Sequence, residues 1–199
     1  MVNIKSPLAS RLDVSNRSAN TGKDFSLFLS ETSLGSLFQV SGWQDFADIV
    51  TPALKELGFN GLGNYKTAQT TNHASCFRTA PDKLLIRHSK SAILEAVLGG
   101  LNSASSPITD LSHARWAIEI NGPATEALLA RLAPIDFSIT NFPEGDFVQT
   151  GIHHVGVIIY RVSHDNFQII VPVTWANTIW EFICDNAAVF NYSTIISPE

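Results

Sequence analysis

The stretch from Asp110 to Phe182 decides the fold. It reads DLSHARWAIEINGPATEALLARLAPIDFSITNFPEGDFVQTGIHHVGVIIYRVSHDNFQIIVPVTWANTIWEF. Arg115 to Ile120 alternates apolar and polar residues, the period of a half-buried strand. Asn121-Gly122 turns the chain, and Pro123 takes a helix first-turn position. The helix that follows, Thr125 to Leu132, carries Ala127, Leu128, Leu129 and Leu132 inward, and Pro134 ends it. Asp146 to His153 and Val155 to Val162 read as two strands joined tightly near His154. Asn166 to Val171 pairs next, after a turn at Ser163-His164-Asp165. Pro172-Val173-Thr174 then leads into a helix from Trp175 to Val189. Thr174 is its expected N-cap; the apolar face is expected to hold Trp175, Ile179, Phe182 and Ile183, with Trp180 beside it.

Toward the N-terminus the signals are shorter. Phe25–Leu29 and Ser36–Val40 are β-type runs, and Ser33-Leu34-Gly35 between them predicts a hairpin. Ser41 or Gly42 is expected to cap a helix with Trp43, Phe46, Ala47, Ile49 and Val50 at helical spacing. Pro52 ends or restarts that helix, and Gly58 stops it. Ala74–Thr79 and Lys83–Arg87 read as strands about a Pro81-Asp82 turn. Ser91–Leu101 reads as a helix closed by Gly99-Gly100, and Ser103–Pro107 as a polar linker. Residues 1–23 are polar and irregular around an isolated apolar plug, Ser6-Pro7-Leu8. They read as an extended tail docking on a partner. Residues 24–104 and 105–199 repeat a loose plan of strands and helix as two halves of one compact unit. The architecture is α+β: antiparallel sheets with helices packed on one face, a doubled ferredoxin-like sandwich.

Composition narrows the function classes. The chain has 199 residues, 45% of them hydrophobic, enough for a substantial core. Charged residues are only 16%, against ~25% in ordinary soluble domains, while aromatics reach 10%. That balance fits a surface partly covered by a partner, or simply a large core; interface composition favours the first. The net charge of −5 comes without a basic stripe, which argues against nucleic acid. No apolar run approaches the ~20 residues of a membrane span. The start lacks the apolar core of a secretory signal, so a cytoplasmic address is expected. Cys76 and Cys184 have no metal or disulfide-framework spacing and read as buried thiols.

Residues that invite chemistry each have a plainer reading. Gly58–Asn64 (GFNGLGN) holds three glycines, yet it follows a helix and lacks the phosphate-loop pattern, so it reads as a plain loop. His153 and His154 are adjacent, and neighbours on a strand face opposite ways, so one metal cannot take both. The spacings of zinc sites are absent. Asp110, Ser112 and His113 lack a nucleophile elbow, so Asp110 and Ser112 read as residues that hydrogen-bond local backbone. Asp136, Glu144 and Asp146 flank a Pro143-Gly145 turn and read as solvated. Trp116, Trp175 and Trp180 read as core or interface. No strand is followed by a dinucleotide fingerprint. The expectation is no catalytic, cofactor-binding or metal residue in this chain.

Several tokens occur in an order that resembles the gamma subunit of heterotetrameric sarcosine oxidase. They are Asp110-Leu111-Ser112-His113, Gly122-Pro123-Ala124 before a Leu-rich helix, Ala133-Pro134-Ile135-Asp136, Phe142-Pro143-Glu144-Gly145, Gln149-Thr150, and Val171-Pro172 before a helix with Trp180-Glu181-Phe182. Ser6-Pro7-Leu8 is similar to the short opening element of that family, and Ala80-Pro81-Asp82-Lys83 to its Gly-Pro-Asp-Glu turn. The resemblance covers about residues 73 to 190.

It implies the fold of the folate-binding aminomethyltransferase domain and a complex of alpha, beta, gamma and delta subunits. Such a complex oxidises sarcosine to glycine with oxygen, giving peroxide, and releases the methyl carbon as formaldehyde or methylenetetrahydrofolate. FAD, FMN, NAD and tetrahydrofolate are implied in the alpha and beta partners, and zinc in delta, with no catalytic residue in gamma. In the wider folate superfamily one strand brings an acidic residue toward the pterin; the equivalent Gly156–Val162 here has none. Alternatives are a stand-alone folate-binding protein of that superfamily, or the same subunit in a complex acting on another N-methyl amino acid.

Overall fold

The computed structural model describes residues 6–8, 25–101 and 104–195. The expected docking tail, residues 1–23, therefore lies outside the described residues except at Ser6–Leu8. There the plug is real: Leu8 is fully buried, and Ser6 Oγ donates to the Glu31 carboxylate.

The strands are β1 Leu27–Thr32, β2 Ser36–Ser41, β3 Gln69–Thr70, β4 Ala74–Ala80, β5 Lys83–His88, β6 Ile108–Asp110, β7 Arg115–Asn121, β8 Phe147–Ile152, β9 Val155–Ser163, β10 Asn166–Pro172 and β11 Tyr192–Ile195. The helices are α1 Phe46–Glu56, α2 Ser91–Gly99, α3 Thr125–Leu132 and α4 Ala176–Ala187. The chain is α+β, with two largely antiparallel sheets, and it divides into two compact units.

One unit takes the described residues up to 33, then 116–144 and 149–195, and carries the six-stranded sheet β11-β1-β7-β10-β9-β8. Its core follows the pleat. Leu27 and Leu29 of β1, Ile118 and Ile120 of β7, Ile159 of β9, and Phe167 and Ile169 of β10 are all fully buried. Leu128 and Leu129 of α3 and Ile179, Trp180 and Ile183 of α4 join them in the buried set. Helices α3 and α4 pack on each other, and α4 also packs on β10. Trp180 is the largest of these side chains, so Trp180→Ala is expected to cost about 4 kcal/mol, read as a lower urea midpoint with an unchanged slope.

The other unit takes residues 34–115 and 145–148 and carries the sheet β3-β4-β5-β2-β6. One face of it supplies Val40, Ala74, Cys76, Leu84 and Ile86. Phe46, Val50, Leu54 and Leu57 from α1 and its end, with Leu94 and Leu98 from α2, close the cluster.

The expected hairpin of Phe25–Leu29 with Ser36–Val40 does not form. β1 pairs antiparallel with β7 (Leu29 opposite Ile120) and parallel with β11 (Leu29 opposite Thr194), so both of its edges are occupied. β2 pairs with β5 and β6 in the second sheet. Ser33–Gly35 is thus a crossing between sheets. Gly35 adopts φ +66°, and a Cβ there would stand 2.6 Å from the His88 carbonyl oxygen, so the crossing is made where only glycine fits.

Helix boundaries also move. α1 begins at Phe46, with Asp45 before it at φ 63° and making no side-chain cap. Trp43 lies outside the helix and is exposed. Pro52 sits inside α1 rather than ending it. Pro52 is exposed, and the adjacent Thr51 hydroxyl donates to the Ala47 carbonyl at 2.6 Å. Pro123 precedes the N-cap of α3, Ala124, rather than opening the helix. Thr174 lies in a 3-10 turn, Val173–Trp175, and makes no cap. The α4 stripe is Ala176, Ile179, Trp180, Ile183 and Ala187. Trp175 and Phe182 therefore fall off its centre and Trp180 on it.

Candidate functional site

Asp110 and Ser112 hydrogen-bond backbone groups, the arrangement expected of them. Asp110 closes β6, and its Oδ1 accepts the Ser112 amide at 2.8 Å. Burial alone would raise the Asp110 carboxyl, but the Ser112 hydroxyl and amide and the nearby His113 outweigh it and hold the group below its ordinary value. Ser112 Oγ accepts the Leu37 amide at 3.0 Å, so this hydroxyl fastens the start of β2.

His153 and His154 are the two residues of the turn between β8 and β9, at φ 46° and 66°. They are not strand neighbours, as the sequence reading assumed. Positive φ at both positions marks the mirror-image turn that suits hairpin twist. The His153 ring packs on Phe182, with centroids 4.8 Å apart. Among the described residues no group of three or more His, Cys, Asp or Glu side chains is placed to hold a metal.

Cys76 is buried and Cys184 half-buried, both as free thiols. Burial pushes Cys76 from 9.0 up to about 12 and, more than any other influence, Cys184 up to about 11. Both stay protonated and inert at neutral pH. In the folded chain, a disulfide reagent at pH 8 is expected to react slowly with both and at full rate after denaturation. The sign of the pH dependence follows. A raised folded pKa means this contribution to stability is complete below 9.0 and is lost as pH rises toward 11–12.

Among the turn carboxylates, Asp136 and Glu144 are exposed as expected. The Ser138 amide, then the Ser138 and Asn141 side chains, lower the Asp136 carboxyl. Asp146 departs from expectation: it is 2% exposed. Its Oδ1 accepts the Thr67 hydroxyl at 2.8 Å, and Oδ2 faces Lys66 Nζ at 3.0 Å. The Phe147 amide donates to the Lys66 carbonyl alongside, so the buried acid fastens the loop 64–67 to the segment entering β8. Gly58–Asn64 is the plain loop expected, with Gln69 Nε2 donating to the Gly61 carbonyl and Gln69 Oε1 accepting the Asn60 amide.

The sequence reading passed over Arg161. On β9, Val157, Ile159 and Arg161 share one face, and the arginine is fully buried. Its Nη2 donates to Glu126 Oε1 at 2.5 Å and also to the Phe137 carbonyl. The guanidinium carbon lies 4.5 Å from the Phe167 ring centroid. Its Nε and Nη1 are buried without partners. The available signal was parity: an arginine falls at a core-facing position of an otherwise apolar strand.

The aromatic surplus splits. Trp180 is core, and the Trp116 indole donates to Glu31 at 3.1 Å. Trp43 is 71% exposed, Tyr65 52% and Trp175 48%. Arg78 stacks 4.5 Å from the Tyr65 ring and donates to the Gly63 and Pro81 carbonyls. Exposed Trp, Tyr and Arg are the residue types that anchor protein interfaces.

The described residues place Trp43, Tyr65 and Trp175 on the surface and Trp180 and Arg161 in the core. No family model matches the chain. Over 116 residues it is 21% identical to sarcosine oxidase subunit gamma of Corynebacterium sp. (strain U-96). The chain is similar to a sarcosine oxidase gamma subunit. That match spans 58% of this chain and 57% of the gamma subunit's length. The fold agreement is longer. One chain of heterotetrameric sarcosine oxidase from Corynebacterium sp. U-96, solved with pyrrole 2-carboxylate, superposes with a TM-score of 0.81 over 96% of this chain and 98% of its own, at 17% identity. The glycine cleavage system aminomethyltransferase T of Bartonella henselae matches 93% of this chain with 50% of its own, at TM-score 0.58 and 16% identity. The fold is therefore that of a sarcosine oxidase chain and, more distantly, of part of an aminomethyltransferase, as the ordered tokens of the sequence implied. Among the described residues no helix is long and apolar enough to cross a membrane.

Proposed function

We propose that this chain is the non-catalytic gamma-type subunit of a sarcosine oxidase-type complex. Its task is to brace the larger subunits while they oxidise sarcosine to glycine, giving peroxide and formaldehyde or methylenetetrahydrofolate. The observation that carries the reading is the superposition with a chain of a heterotetrameric sarcosine oxidase over nearly the full length of both chains. The sequence similarity to a gamma subunit supports it. In this reading the partners are alpha, beta and delta subunits. FAD, FMN, NAD and tetrahydrofolate sit in alpha and beta and zinc in delta, and the assembly is cytoplasmic. The exposed Trp43, Tyr65 and Trp175 are then interface residues.

A direct consequence concerns the chain expressed alone. Apolar surface meant for a partner is left wet, so the isolated chain is expected to self-associate or precipitate as its concentration rises. Size-exclusion chromatography with light scattering reads this; a monodisperse monomer at high concentration argues against the proposal.

The likeness to aminomethyltransferase T favours one second reading, a stand-alone folate-binding protein. Against it, β9 carries the paired Arg161 and no carboxylate. Titrating the isolated chain with tetrahydrofolate separates the two: the subunit reading expects no saturable binding, and micromolar binding would revive the alternative.

A further inference from the structure

Three strands of the six-stranded sheet build a pocket that none of the chemistry above uses. Register aligns two rows of side chains on one sheet face: Ser193, Phe28 and Asn121 in one, Ile195, Ser30 and Glu119 in the next. Ser30 is small and stands between two larger side chains on the flanking strands, so the surface dips there. The depression has a volume of about 290 Å³ and is lined by Phe28, Ser30, Glu119, Asn121 and Ile195. One end is apolar, Phe28 and Ile195; the other is a carboxylate with an amide beside it.

Glu119 is half-buried and, among the described residues, is not paired with any cation. Its carboxylate accepts Asn166 Nδ2 at Oε1, at 2.7 Å. The Oδ1 of that same amide is buried with no partner. The other carboxylate oxygen, Oε2, meets no donor among the described residues, and it is Glu119, not Asn166, that lines the pocket. A half-buried carboxylate with a free acceptor site is well matched to a cation carrying several N–H groups. The apolar end fits the hydrocarbon stem of such a group.

We infer that this pocket receives a lysine or arginine side chain of a partner subunit, the stem lying on Phe28 and Ile195 and the charged head on Glu119. The inference rests on the subunit reading above. It also suits a chain of net charge −5, whose partner surface is expected to bring the opposite sign.

The test uses the full chain, tagged and expressed in its native host, with its complex captured and washed through a series of sodium chloride concentrations. Glu119→Lys puts a like charge against the incoming cation, and Glu119→Gln removes the charge while keeping the acceptor for Asn166. Glu144→Lys, on an exposed turn, controls for net charge. The flavin-bearing partner is expected to bind Glu119→Lys at least ~30-fold more weakly than wild type. Glu119→Gln is expected to release it at lower salt, and Glu144→Lys to behave as wild type. Melting curves of the isolated chains check folding, and Glu119→Gln alone decides the matter where Glu119→Lys does not fold. If wild type captures the partner and Glu119→Gln holds it equally well at every salt concentration, the pocket assignment is overturned and the subunit reading stands. If wild type captures no flavin-bearing partner, both fall.

Discussion

Glu126→Ala is expected to destabilise the folded chain by about 3 kcal/mol, and Arg161→Met by clearly less. The asymmetry follows from burial. Arg161 is fully enclosed, while Glu126 is 38% exposed. Removing Glu126 leaves a guanidinium in the core with only the Phe137 carbonyl and the Phe167 face to offset its charge, and an uncompensated buried ion costs about 3–5 kcal/mol. The partial exposure of Glu126 lets water approach that side, which places the value at the lower end. Arg161→Met instead removes the ion and its two unpaired nitrogens, Nε and Nη1, and leaves a side chain of similar length in the same slot. The leftover Glu126 carboxylate can turn to solvent. For a domain of this size 1 kcal/mol moves the melting temperature by roughly 2–4 °C, so Glu126→Ala should lower it by roughly 6–12 °C. Equal melting temperatures for the two variants, or the reverse order, would contradict this account of the Arg161 site.

Gly122→Ala is expected to be about as damaging, near 3 kcal/mol. Gly122 holds φ +129°, a conformation strained for any residue with a Cβ. A Cβ there would stand 2.5 Å from the Ser26 carbonyl oxygen and 3.1 Å from its carbon, both backbone atoms that cannot rotate away. The surroundings are tied from several directions. The Gly122 amide donates to the Asp165 carbonyl at 3.1 Å, and the Ala124 amide to the Ser26 carbonyl at 3.2 Å. The Thr125 hydroxyl donates to the Gly122 carbonyl at 2.7 Å and lies 3.1 Å from that of Asp165. The start of β1, the end of β7, the first turn of α3 and the β9–β10 turn meet at this point. An added methyl group must push one of them away, so strain and lost hydrogen bonds add to the conformational cost. Denaturant melts of Gly122→Ala and of the neighbouring Ala124→Gly check it: the first should lose several-fold more stability than the second.

Gly122 belongs to one of the sequence tokens that carried the resemblance, and its role shows why the second half of the chain was legible. β7, α3, β9, β10 and α4 each announce themselves by local period, and the turns at Asn121-Gly122 and Ser163–Asp165 punctuate them. The first half failed where partners are distant in sequence. Nothing within Phe25–Val40 shows that Leu29 pairs with Ile120 on one side and Thr194 on the other, so two β-runs separated by a short glycine-containing link were read as a hairpin. The face of α4 was misjudged by about one residue because Trp175 was counted as helical, when a 3-10 turn intervenes. Asp146 and Arg161 were hidden by residue type: charged side chains default to the surface, and burial with a partner is a tertiary fact. The Glu119 pocket was invisible for the same reason, since it depends on the register of three strands.

The central claim, that this chain works as a subunit of a sarcosine oxidase-type complex, is tested most directly by purifying it under mild conditions from its native host and recording the mass and visible spectrum of what elutes. The account predicts larger partner chains and a flavin absorbance that elutes with this chain. A colourless chain without partners would contradict it.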